Sequence, residues 1–220
     1  MNLDDVILKK IISEAKQSSP WDFGNNILYQ MCASSPYHNN ESEIIGKIWL
    51  IGRSYAAAIE RGRAKNEAIG DDFYVNSVGP KVVKADIDHQ LLKEIKSYKE
   101  ITGGNINNLI KAHDALAGIF GRINGKRYQR SLASKYLHFH YPPLFYIYDS
   151  RAEKASIQLA EYLGINKKIK VDEVIGDQVY CKFSKRVFAV CQKIYQTYGE
   201  KLNPRQFDNL MLSIANEDLR

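Results

Sequence analysis

The sequence predicts an all-α protein, a multi-helix bundle of about eight or nine helices with at most short strand pairs. Three observations carry this. Apolar residues recur at helical spacing along most of the 220 residues. Capping and turn residues punctuate those segments at helix-length intervals. A hydrophobic content of 45% beside a charged content of 25% supplies a core without disulfides or metal. The chain, 1–220, reads as a single helical domain, with room for two lobes: 1–87 plus the C-terminal helices, and 88–165.

In order, Leu3 to Lys16 places Val6, Ile7, Ile11 and Ile12 on one stripe, and Pro20 closes that helix. Asp22 to Ala33 forms a second, ended by the loop Ser34 to Asn40. A third starts at Glu41 to Glu43 and is expected to run to about Arg63; from Ile44 to Ile59 it is apolar nearly all round, as a central helix would be. Turn chemistry at Gly70-Asp71-Asp72 and Val78-Gly79-Pro80 suggests a short hairpin or extended crossover within 64–87. Helices follow at Asp88 to Ile101, Asn105 to Phe120 and Gln129 to His140, the last stopped by Pro142-Pro143. Leu144 to Tyr148 is an apolar extended stretch. Ser150-Arg151-Ala152-Glu153 has the capping-box pattern and opens a helix to Leu163. Ile169 to Val171 and Val174-Ile175 suggest a strand pair, and Gln178 to Tyr198 and Pro204 to Asn216 complete the chain as helices.

Several classes drop out. Carboxylates at Asp4 and Asp5 stand where a secretion signal needs positive charge, and Lys47 and Arg53 interrupt the longest apolar run, so a cytoplasmic protein without membrane contact is expected. Cys32, Cys181 and Cys191 are widely spaced, with no CxxC pair to suggest zinc or redox chemistry. His138 and His140 point apart on a helix, so no metal site is expected. Neither a P-loop nor a GxGxxG element occurs, so no cofactor is implied.

The net charge of +6 is not spread evenly. Residues 122–154 hold seven cations (Arg122, Lys126, Arg127, Arg130, Lys135, Arg151, Lys154) against Asp149 and Glu153, a local charge of +5. Tyr128, Tyr136, Phe139, Tyr141, Phe145, Tyr146 and Tyr148 share the segment. Cations neutralise phosphates and flat rings stack on unpaired bases, so Arg122, Lys126, Arg127, Arg130 and Arg151 are candidate nucleic-acid contacts.

The order of parts says more than the composition. A loop carrying Gly121 and Gly125 leads into a helix, then prolines, an apolar stretch, Asp149 and a new helix. Over residues 105–165 this resembles the helix-hairpin-helix DNA glycosylase superfamily. There a loop and helix grip the DNA backbone, and a catalytic aspartate follows at the start of the next helix, which is Asp149 here. The resemblance implies a DNA-binding protein similar to base-excision glycosylases, hydrolysing an N-glycosidic bond, with DNA a better partner than RNA. Bifunctional members also carry a nucleophilic lysine at the start of the preceding helix. The matching place falls near Arg130 or Ser131, with Lys135 a helical turn further on. The resemblance therefore implies a monofunctional hydrolase or a catalytically silent relative, with Asp149 and Lys135 the candidate catalytic residues. The residues alone leave a second reading open: a non-catalytic helical module, such as one from a mobile element or defence locus, that binds nucleic acid or protein and uses Asp149 only as a cap.

The expected third helix also carries Arg53 and Glu60 on one face, with Tyr55 between them. Charges on such a face must pair or line a cavity, so Arg53 is expected either to bind Glu60 or to reach a phosphate or Asp149. With Tyr136, His138 and Tyr148, these residues complete a candidate base pocket.

Overall fold

The computed structural model describes residues 4–61, 71–125, 128–165 and 175–217. The fold is all-α: nine helices of six residues or more occur among the described residues, and no strand. They are α1 (Asp5–Ala15), α2 (Asp22–Ser34), α3 (Glu41–Ser54), α4 (Gly79–Lys84), α5 (Ile106–Asn124), α6 (Arg130–His140), α7 (Ser150–Tyr162), α8 (Gln178–Tyr198) and α9 (Pro204–Glu217). None is long and apolar enough to cross a membrane.

Local chemistry sets the boundaries. Asp4 caps α1 by accepting from Ile7 N at 2.8 Å, and Asn40 caps α3 by accepting from Ser42 N at 3.0 Å. At α9, Asn203 and Gln206 cap one another: Gln206 N donates to Asn203 Oδ1 at 2.8 Å and Asn203 N to Gln206 Oε1 at 3.0 Å. Gly125 and Gly199 end α5 and α8 with φ of 77° and 72°, the left-handed region that glycine enters without penalty.

Two apolar cores result. One gathers α2 to α6, with Ile48, Leu116, Phe120, Tyr136 and Phe139 among its buried residues. The other gathers α1 and α7 to α9, around Leu8, Leu159, Phe183, Val187 and Phe207. The stretch between α6 and α7 crosses from one to the other: Leu144 and Phe145 belong to the first core, Tyr146 to the second. A small cluster of Ile106, Ile110 and Cys181 bridges α5 and α8. The candidate residues Lys135 and Asp149 flank this stretch.

Four expectations need correction. The third helix stops at Ser54, short of Arg63. Ala56 takes φ 52°, and Ala57 N donates to Gly52 O at 2.7 Å, so the chain reverses in a Schellman-type turn. Nor is α3 buried all round, because Trp49 and Leu50 are exposed; α5 is the more deeply buried helix. In place of the hairpin, a helical turn at Asp71–Phe73 runs through a π turn at Tyr74–Val78 directly into α4. Pro80, read as a turn signal, is the second residue of α4, immediately after the π turn. The helix expected over Asp88 to Ile101 is only short turns at Ile87–Gln90 and Ile95–Ser97. The capping box also shifts by one residue: Asp149 caps α7, and Glu153 instead accepts from the Tyr148 hydroxyl. Most of the expected strand pair lies outside the described residues.

The turn after α3 yields a direct test. A Cβ on Gly52 would meet Ala58 Cα at 3.1 Å, so Gly52→Ala should destabilise the fold by about 1–3 kcal/mol through overpacking. Ala56→Gly should do the reverse, relieving a left-handed alanine by about 1 kcal/mol. Urea unfolding of both variants checks the pair of opposite signs.

Candidate functional site

Side chains of α6 hold the stretch ahead of Asp149. Ser134 Oγ accepts from Tyr148 N at 3.0 Å, and His138 Nδ1 donates to Phe145 O at 2.9 Å, leaving Nε2 to accept from the Tyr29 hydroxyl at 2.6 Å. Burial pushes the His138 pKa down to about 3, so the ring is neutral and acts as a structural clamp. Asp149 then caps α7, its Oδ1 accepting from Arg151 N at 3.0 Å and Ala152 N at 2.9 Å. The helix N-terminus favours that carboxylate charge.

The other carboxylate oxygen of Asp149 faces Lys135. Lys135 Nζ stands 3.8 Å from Asp149 Oδ2 and donates to Ser131 Oγ at 2.7 Å, and the lysine side chain is only 3% exposed. Burial lowers the Lys135 pKa below its ordinary value, partly opposed by the Asp149 charge. A lowered pKa raises the neutral fraction of this amine relative to a surface lysine.

Helix α9 completes the cluster with two residues that the sequence reading did not mark. Asp208 is buried and pairs with Arg205 Nη1 at 3.0 Å, and the charges of Asp149, Lys135 and Arg151 act on it as well. Burial outweighs the Arg205 cation and pushes the Asp208 carboxyl up to about 6. The Arg205 guanidinium lies 5.7 Å from the centre of the Tyr55 ring, whose hydroxyl donates to Asn25 Oδ1 at 2.6 Å. Arg205 Nε and Asn25 Nδ2 are buried donors without an acceptor among the described residues. The readable signal was in α9: Asp208 shares its buried face with Phe207, Leu210, Met211 and Ile214, an unlikely place for a carboxylate without a partner.

The structure brings Asp149, Lys135 and Tyr55 to this seam and sends other candidates elsewhere. Arg53 pairs with Glu60, which also accepts from the Tyr74 hydroxyl. That contact arises from the chain reversal at Ala56, not from a shared helix face, and it places Arg53 and Glu60 in a salt bridge of their own. Tyr136 is fully buried in another polar cluster, its hydroxyl 2.8 Å from His38 Nε2, with Asp88 behind the His38 ring. Arg130 is held by both oxygens of Asp177 and lies over the Tyr148 ring, so its cation is already neutralised. Gly176, at φ 65°, is needed beside it because a Cβ there would strike the Asp114 side chain at 2.6 Å. Arg151 is exposed on the first turn of α7, and Arg122 is exposed on the last turn of α5. Lys126 and Arg127 lie outside the described residues. No group of three or more His, Cys, Asp or Glu among the described residues is placed to hold a metal.

No protein-family model, curated protein or solved structure matches the chain.

Asp208 makes the site pH-sensitive in a definite direction. Its folded pKa of about 6 lies above the unfolded value of about 3.9, so the folded state holds this proton more tightly between those limits. The Asp208 contribution to stability is present below the unfolded value and lost as pH rises through about 6. Asp208→Asn should flatten the fall in stability between pH 4 and 6, measured by urea unfolding across that range.

Proposed function

We propose that this protein binds DNA and hydrolyses an N-glycosidic bond in the manner of helix-hairpin-helix base-excision glycosylases. The observation that carries the reading is the pairing of Asp149, on a helix N-terminus, with the desolvated amine of Lys135 at 3.8 Å. An anionic carboxylate so held stabilises a sugar cation as the base departs with the electron pair of the C1′–N bond, and it orients the water that adds to C1′. Arg151, exposed two residues after Asp149, supplies a phosphate contact. Lys135 is engaged by Ser131 and almost wholly buried, so its role is to hold Asp149 in place by charge, not to attack the sugar.

A second reading, a nucleic-acid-binding module without catalysis, is favoured by the complete cap that Asp149 makes on α7. Asp149→Asn separates the two, because asparagine caps a helix as well as aspartate does. Base release from duplexes carrying deaminated, oxidised or alkylated bases, read as alkali-labile strand breaks, should fall about 100-fold or more in the variant, with duplex binding kept and thermal stability lowered only by the charge lost beside Lys135. A parent protein that binds the duplexes and releases no base supports the binding module instead. Borohydride should trap no covalent adduct between the parent and abasic DNA; an adduct mapped to Lys135 would make that lysine the nucleophile.

A further inference from the structure

A concave basic site lies away from Asp149, where α4 meets the C-terminal half of α5. A cavity of about 280 Å³ is lined by Lys81, Lys84 and Ala85 from one side and Ile119, Arg122 and Ile123 from the other. Three of the six lining residues are cations and none is a carboxylate. Lys81, Lys84 and Arg122 are all exposed, and none forms an ion pair with an acid among the described residues.

The local build explains why the charges converge. Lys81 and Lys84 are three apart on α4 and share a face. Arg122 follows Gly118 by one helical turn, and the position of a Cβ on Gly118 would be 3.4 Å from Arg122 Nη1. The guanidinium therefore lies back along α5 instead of extending into solvent. Ile119 and Ile123 form an apolar floor beneath the cations. Three like charges held together without a counter-charge repel one another, and a bound anion removes that repulsion.

We infer that Lys81, Lys84 and Arg122 form a backbone-phosphate subsite for nucleic acid, with the apolar floor taking the adjoining sugar. Arg122 begins the basic segment 122–154, and the loop after α5 folds back on that helix, Gln129 N donating to Ala117 O at 3.0 Å. The subsite thus extends the basic segment onto α4, through two lysines about forty residues earlier in the chain. This inference rests on the nucleic-acid reading above and adds a second point of contact to it, distinct from Asp149.

The test is the salt dependence of binding of the full chain to a fluorescent DNA duplex. For each phosphate contact removed, the slope of log affinity against log salt should become shallower by about 0.9. The double variant Lys81→Ala, Lys84→Ala is therefore expected to lose nearly two from that slope while unfolding at the parental temperature. A control, Lys9→Ala with Lys10→Ala, removes the same charge from the exposed face of α1 and should leave the slope near the parental value. An unchanged slope in the Lys81, Lys84 variant, or an equal change in the control, overturns the subsite while leaving DNA binding intact. Absence of binding by the parent at low salt overturns the nucleic-acid reading itself, and the subsite with it.

Discussion

Burying a lysine is costly unless its charge is compensated, and the seam of this protein is arranged around that requirement. Lys135 lies on α6, within the face that packs into the bundle, yet its amine must reach an acceptor and a carboxylate. Ser131, one turn back on the same helix, supplies the acceptor. Asp149 supplies the charge, and it can do so only because Ser134 and His138 hold the preceding stretch against α6. The same stretch carries the chain from one apolar core to the other, so compensation of one amine is tied to the relation of the two halves.

Asp208 and Arg205 bring α9 into that arrangement. A second carboxylate beside Asp149 raises the electrostatic cost of ionising both, and Arg205 offsets part of it. The result is a group of opposite charges shared by α6, α7 and α9, with Tyr55 and Asn25 adjoining from the α2–α3 side. Such a group holds a fixed field at one point of the protein, which is what stabilisation of a charged transition state requires. Uncompensated cations lie elsewhere, among them Arg151 and those in the cavity between α4 and α5, where a polyanion has access. Compensated charge inside and uncompensated charge outside divide the proposed labour between chemistry and grip.

Much of the fold was legible because helical spacing and caps are local. The boundaries of α2, α6, α8 and α9 follow from residues within a few positions of each end. Reversal at Ala56 was not legible: three alanines are strong helix formers, and only the approach of Gly52 to Ala58, a contact between a helix and the chain returning over it, favours the turn. The short turns at Ile87–Gln90 and Ile95–Ser97 replaced an expected helix for a similar reason, since Asp88 is drawn to the backbone and ring of His38, fifty positions away. In the site, Asp149 and Lys135 stood out through their place in the order of parts. Arg205 and Asp208 did not, because their significance depends on α9 meeting α7, a pairing that no local pattern encodes.

The central claim is that Lys135 and Asp149 form one desolvated, electrostatically coupled site that nucleic acid engages. The most direct measurement is the ¹⁵N NMR titration of the Lys135 ammonium, alone and with a duplex carrying an abasic-site analogue. The account predicts a midpoint below that of an ordinary lysine, raised in the complex by the added negative charge of the phosphates. An ordinary midpoint, or one unmoved by a duplex that the protein demonstrably binds, would contradict it.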